Sequence, residues 1–155
     1  MQKSSNTINK IAKQTKPHFV ELAQHGDDRG SLIVLEEASE IPFSVKRVFF
    51  IRGSDSSAIR GRHANRNSEF LLVNVSGSCK VKTIEEDGTE TVFELNQPNV
   101  GIYLPRMVWK EMYDFSKDSV LLALTNTLYD SNEYIRDLKE FLQEGNNNHT
   151  NYCAN

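Results

Sequence analysis

Cysteine is scarce in this chain of 155 residues: Cys79 lies in a strand-like run and Cys153 in a polar tail. Two thiols so far apart make neither a disulfide framework nor a zinc knuckle. The expectation is a reduced, cytoplasmic setting. No window approaches the run of about 18 apolar residues that a membrane helix needs, so no membrane partner is expected. The opening MQKSSNTINKIAKQTK carries lysines but no apolar centre, and is not read as a secretory signal. Without a secretory route, the triplet Asn148-His149-Thr150 is a chance match to a glycosylation site. A basic excess is also lacking: 18 Lys and Arg face 21 Asp and Glu, for a net charge of -3. With no positive field to hold a phosphate backbone, nucleic acid is a poor partner. No internal repeat recurs at a fixed period.

The composition is that of an ordinary globular domain, 38% hydrophobic and 25% charged. A chain of this length fits one domain and buries about 70% of its unfolded surface, enough for a core without staples. Residues 1–17 are polar and aperiodic and read as a mobile arm. Residues 145–155 (GNNNHTNYCAN) read as a polar tail, leaving a folded domain over 18–144.

Within that domain lie short runs rich in Val, Ile, Leu, Phe and Thr. They cover 18–22, 31–36, 45–51, 69–75, 78–84, 89–95, 100–104 and 119–126. Turn signals separate them: Asp28-Arg29-Gly30, Ser76-Gly77, Asp87-Gly88 and Gln97-Pro98-Asn99. Short strands at this spacing predict an all-β sandwich or barrel. Asp87-Gly88 predicts a hairpin, with Glu85-Glu86-Asp87 at its solvated tip. One helix is predicted near the end from Tyr134, Ile135, Leu138, Phe141 and Leu142. Asp130 and Glu133 form a capping box before it, and Gly145 offers a stop. Following the last strand, it should pack on the outside of the barrel.

The stretch richest in chemistry is Arg60-Gly61-Arg62-His63-Ala64-Asn65, followed by Glu69 and Gly77. On a strand, His63 and Asn65 share a face. So polar a run is unlike a plain core strand, which favours a site role for His63 over a buried structural one. A second stretch runs from Gly101 through Tyr103, Pro105 and Trp109 to Lys110, with Asp114 beyond. Arg47 falls between apolar neighbours on one strand; turned inward, its guanidinium suits a diphosphate. Arg60 is a second such candidate. Arg29 is either a third or a structural part of its turn. Glu69 is either a ligand contact or a structural partner of His63 or Arg60. Tyr103 carries a hydroxyl that needs a partner if buried, and Trp109 reads as barrel filler. Phe49 and Phe50, adjacent on a strand, cannot both face inward.

These two stretches resemble the two motifs of the cupin superfamily. At the positions where metal-binding cupins place their ligands, this chain has His63, Asn65, Glu69 and Lys110. Two imidazoles are replaced, one of them by an ammonium that repels a cation and has no lone pair until deprotonated; no metal is expected. The order Asp28-Arg29-Gly30, Ile41-Pro42-Phe43, Arg60-Gly61-Arg62-His63-Ala64, Val75-Ser76-Gly77, Trp109-Lys110-Glu111-Met112 and Tyr134-Ile135-Arg136 narrows the match. Over about residues 25–140 it is similar to the sugar 3,4-ketoisomerases that act on dTDP-4-keto-6-deoxyglucose, also described as WxcM-like C-terminal domains.

That resemblance implies an all-β cupin jelly-roll barrel (a double-stranded β-helix) with one C-terminal α-helix. It implies a homodimer, no cofactor, and a dTDP-linked keto sugar held inside the barrel. The reaction would move a carbonyl from C4 to C3 through an enediol, in deoxy-amino-sugar synthesis. His63 takes the place of the base, with Lys110 or Tyr103 as proton donor. Arg47, Arg60, Asn65, Glu69 and Arg29 are the candidate substrate contacts. This sequence departs from the family at Asn65, Lys110, Phe49, Phe50 and Phe70, where imidazole, phenol or amide side chains are usual. Two rival readings follow from those losses: a non-catalytic module that binds a nucleotide sugar or partners an isomerase, and an epimerase working through the same enediol.

Overall fold

The computed structural model describes residues 15–152. Residues 1–14 of the expected N-terminal arm, and Cys153, lie outside the described residues.

Alternating apolar and polar side chains along the chain produce two facing antiparallel sheets. The first contains β1 (His18–Glu21), β4 (Arg47–Arg52), β6 (Phe70–Ser76), β9 (Val100–Leu104) and β11 (Val120–Thr125), in the order β1-β9-β6-β11-β4. The second contains β5 (Arg60–Asn65), β7 (Cys79–Ile84), β8 (Glu90–Leu95), β10 (Trp109–Tyr113) and β12 (Tyr134–Ile135), in the order β12-β5-β10-β7-β8. A separate hairpin joins β2 (Ala23–Asp27) to β3 (Gly30–Val34). The strand spacing predicted a sandwich or barrel, and this is the jelly-roll barrel that the family resemblance implied, with helix α1 (Leu138–Tyr152) after the last strand. Asp87-Gly88 turns the β7–β8 hairpin as expected, with Gly88 at φ +86°.

Side-chain alternation sorts the apolar residues into three layers. Phe70, Leu72, Val81, Phe93, Ile102, Leu104, Met112, Leu121 and Ala123 fill the space between the sheets. The opposite side chains of the first sheet, Leu71, Val73, Tyr103 and Leu124, pack under Leu22, Ile41 and Phe43. On the back of the second sheet, Ala64, Ile84 and Trp109 pack against Ile135 and Phe141. Trp109 is thus filler on the outer face of its sheet.

The C-terminal region differs from expectation in three ways. Tyr134 and Ile135 are not helical; they pair with Asn65 and Ala64 as a short strand, because the edge of β5 is open to them. Asp130 does accept from the backbone of Asn132, but it caps a single 3₁₀ turn over Ser131–Glu133. The α-helix starts later, where Asp137 accepts from Glu140 N at 2.9 Å. Finally, Gly145 does not stop the helix, which continues to Tyr152 through the stretch expected as a tail. Gly145 sits against the β7–β8 turn: a Cβ there would lie 2.6 Å from the Glu86 carbonyl oxygen. Its small size, rather than its flexibility, is what the position uses.

Gly→Ala inside a helix ordinarily stabilises by about 1 kcal/mol. At Gly145 the added methyl strikes backbone, so Gly145→Ala should lower the melting temperature. A thermal melt that rises on this substitution would contradict the packing of α1 on the hairpin.

Candidate active site

The site is built on the pairing of β5 with β10. Lys110 lies opposite His63, but Glu111 lies opposite Gly61 and Met112 opposite Arg60. Arg62 is therefore an extra residue, a β-bulge, with φ +54° following Gly61 at φ +85°. The tight approach at the bulge demands glycine, since a Cβ on Gly61 would sit 2.7 Å from the Lys110 carbonyl oxygen. The bulge also changes the phase of the strand. Strict alternation would send Arg60 and His63 to opposite faces; the extra residue brings both to the barrel interior.

There a cavity of about 270 Å³ opens between the sheets. Its working groups are His63, Lys110, Arg60 and Tyr134, with Phe49 and Phe70 among the apolar walls. This volume lies just under the range of about 300–1,000 Å³ for sites that enclose drug-sized ligands. It takes a ring-sized group and leaves anything attached to that group at the mouth.

His63 is half-buried, its ring 4.7 Å from that of Tyr134. Its Nδ1 lies 3.0 Å from the Gly61 carbonyl oxygen. A carbonyl only accepts, so Nδ1 carries the proton and Nε2 keeps the lone pair in the neutral ring. Burial, reinforced by the Lys110 charge, pushes the imidazole down to about 4. It is neutral at physiological pH.

Lys110 is buried, and burial pushes its amine down to about 7. Its Nζ donates to Asn65 Oδ1 at 2.6 Å and stands 4.6 Å from the centre of the Phe70 ring. Asn65, wholly buried, donates through Nδ2 to Glu133 Oε1 at 3.1 Å. Glu133 is a buried carboxylate fully occupied by donors. Its Oε2 accepts from the backbone of Asn67 at 3.0 Å and of Ser68 at 2.9 Å, and Ser68 Oγ donates to Oε1. Sequence reasoning took Glu133 as part of a helix cap and missed this role. The only signal was a carboxylate three residues after Asp130, which a cap explains equally well.

Two further arginines border the site. The Arg47 guanidinium packs over the rings of Phe49 and Tyr129, at 5.4 and 5.6 Å, and its buried Nε has no partner among the described residues. Arg136 stacks on Tyr134 at 4.7 Å. Among the described residues, Arg47, Arg60 and Arg136 have no carboxylate within ion-pair distance. In the sequence Arg136 carries the family resemblance but is not a candidate site residue, because it follows the pair Tyr134-Ile135 that reads as helical.

The structure thus brings together His63, Lys110, Asn65 and Arg60, with Arg47 beside the cavity wall. Three expected site residues stand elsewhere. Tyr103 points to the outer layer of the first sheet, where its hydroxyl donates to Glu69 Oε1 at 2.5 Å. Ile102 and Leu104 take the inward positions of β9, so register excludes Tyr103 from the cavity. Glu69 faces the same outer side and accepts from Asn126 Nδ2 at 2.8 Å; it is partner to neither His63 nor Arg60. Arg29 is exposed at the β2–β3 turn and pairs with Asp27. Of the two phenylalanines on β4, Phe49 takes the inner face, and Phe50 is 59% exposed on the outer one.

Comparisons with known proteins bear on the family and the fold. The family model described as "WxcM-like, C-terminal" matches residues 15–146. A TDP-4-oxo-6-deoxy-alpha-D-glucose-3,4-oxoisomerase from Aneurinibacillus thermoaerophilus is 41% identical over 115 residues, covering 74% of this chain and 82% of its own. Two solved structures superpose closely. A 3,4-ketoisomerase from Helicobacter canadensis gives a TM-score of 0.81 at 36% identity, over 86% of this chain and 99% of that one. A sugar 3,4-ketoisomerase from Thermoanaerobacterium thermosaccharolyticum, in complex with TDP, gives 0.82 at 33% identity, over 86% and 96%. By the family model over residues 15–146 and by these relatives, this chain belongs to the WxcM-like C-terminal family, the family of the sugar 3,4-ketoisomerases.

Proposed function

We propose that the protein is a sugar-nucleotide 3,4-ketoisomerase acting on a TDP-linked 4-keto-6-deoxyhexose, as its relatives' names describe. The observation that carries this reading is the juxtaposition of a neutral imidazole and a buried ammonium on paired strands, facing one ring-sized cavity.

The chemistry needs a base at C3 and a positive group at the carbonyl oxygen. His63 Nε2 takes the C3 proton, and the charge that develops on O4 faces the Lys110 ammonium. The resulting enediolate shifts the proton of its C3 hydroxyl to O4. Lys110 then delivers a proton to C4, leaving the carbonyl at C3, and the proton held by His63 restores the lysine. His63 is by itself a weak base because burial and the Lys110 charge both oppose its protonation. Negative charge growing on the substrate beside them favours the imidazolium at the moment it forms.

Arg60 and Arg47, with no carboxylate partner among the described residues, suit the diphosphate at the cavity mouth, where the nucleotide must lie. Tyr103, Glu69 and Arg29 have no part in this cavity. A cytoplasmic setting suits both the free Cys79 and a nucleotide-linked substrate. A homodimer is also proposed. Among the described residues, strand β4 is an unpaired sheet edge carrying Val48 and Phe50, each more than half exposed, and a second copy would cover both.

Two outcomes test the reading. In deuterated water with TDP-4-keto-6-deoxyglucose, NMR should show loss of the C3 proton signal and appearance of a 3-keto product. His63→Asn should slow this by about 10²- to 10⁴-fold. Binding without exchange would instead indicate a non-catalytic module, and exchange with inverted C3 an epimerase. The pH–rate profile should be a bell. The rate rises as His63 loses its proton around pH 4 and falls as Lys110 loses its own around pH 7. A rate that keeps climbing well above pH 8 would exclude the lysine as acid.

A further inference from the structure

The buried chain Lys110–Asn65–Glu133 has a direction. A carboxylate offers only acceptors, so the Asn65 amide must turn its NH₂ group towards Glu133. Its oxygen then faces Lys110, where it accepts at 2.6 Å. Glu133 is itself locked, because the backbone N–H groups of Asn67 and Ser68 hold Oε2 in place. The lysine therefore meets a neutral acceptor at short range and has the carboxylate one residue further off.

We propose that Asn65 and Glu133 are a positioning pair: Glu133 orients the Asn65 amide, and the amide holds Lys110 with its remaining N–H donors free for the sugar carbonyl. Neither residue touches the reacting atoms. The proposal rests on Lys110 having the role given above, and it accounts for a side chain that transfers no proton standing directly against the amine. An ionised partner at position 65 would hold the lysine charged through the whole neutral range; an amide turned the other way would drive the ammonium off.

Lys110 is surrounded by few other groups able to set its charge. From β5 come His63 and Arg60, from the 3₁₀ turn Glu133, and from around β12 Tyr134 and Arg136. Strand β6 presents the Phe70 ring. Strand β7 presents Thr83 opposite Lys110 and, further along, Cys79, whose thiol burial pushes up to about 12. From β4 comes Phe49, with the Arg47 guanidinium behind it.

Two variants move the lysine in opposite senses. Asn65→Asp sets a carboxylate against Nζ, and the alkaline limit of the rate should rise by about 1 pH unit or more. In Glu133→Gln the side-chain oxygen stays with the two backbone N–H groups and its NH₂ faces Asn65. The Asn65 amide then turns over, and the alkaline limit should fall. NMR titration of lysine Nζ and Cε in the labelled full-length protein reads the same shifts without substrate. A purely structural role for the pair would lower the rate or stability of both variants and leave the alkaline limit unmoved, which would overturn the proposal. If Glu133→Gln does not fold, Asn65→Asp alone decides by the same criterion. Lys110→Met separates this proposal from the one it rests on. Loss of turnover in that variant, with unmoved limits in the other two, refutes only the positioning pair. Full turnover in Lys110→Met refutes the lysine's catalytic role, whereas opposite shifts in the lysine titration would still support the pair.

Discussion

The register of β5 against β10 is the constraint from which the rest follows. It sets an imidazole opposite an amine on neighbouring strands, both directed into one cavity between the sheets. In water the two groups would titrate well above the values they hold here. Burial moves both downward, and the Lys110 charge makes that of His63 more costly still. The product is one neutral base and one acid poised near physiological pH, an assignment that proton transfer beside a carbonyl requires. The bulge at Arg62 belongs to the same constraint. Its left-handed backbone is a local strain of about 1–3 kcal/mol, and what it yields is Arg60 on the same side as His63.

The barrel makes that arrangement rigid. The first sheet's inner residues close one side of the cavity, and β5 is held from behind by Ile135 and Phe141. Burying a side chain such as Phe141 contributes about 1.5–3 kcal/mol. The helix that carries it reaches across to the β7–β8 turn, so the back of the catalytic sheet is fastened at both ends. The buried polar chain runs from Lys110 on β10 through Asn65 on β5 to Glu133, and ties β5 to the 3₁₀ turn. A half-satisfied network there would cost more than it gives; Glu133, with four donors, is fully satisfied.

Much of this was legible in the sequence, for physical reasons that differ by residue. Period-two alternation and turn residues marked most strands, and Asp87-Gly88 marked its hairpin. His63 stood out because it sits in a run too polar for a plain core strand, and Lys110 because the family resemblance sets it at a ligand position of the second motif. Tyr103 was misplaced because alternation says that it opposes Ile102 and Leu104 without saying which side is the interior. Tyr134 and Ile135 were read as helical because, with Leu138, Phe141 and Leu142, they fit a helical period. The open edge of β5 that captures them is a tertiary fact. Strand β10 was hidden for a similar reason, since Trp109-Lys110-Glu111-Met112-Tyr113 alternates between two buried layers and shows no polar face. Gly145 signalled a helix stop, and only the approach of Glu86 shows that it serves packing instead.

The central claim is a neutral histidine held as the Nδ1–H tautomer beside a buried ammonium. It is tested most directly by two-bond ¹H–¹⁵N correlation spectra of the histidine-labelled protein at neutral pH. The account predicts that His63 shows a protonated Nδ1 and an unprotonated Nε2, and that this pattern persists well below the usual histidine range. A ring found as imidazolium at neutral pH, or with its proton on Nε2, would contradict it.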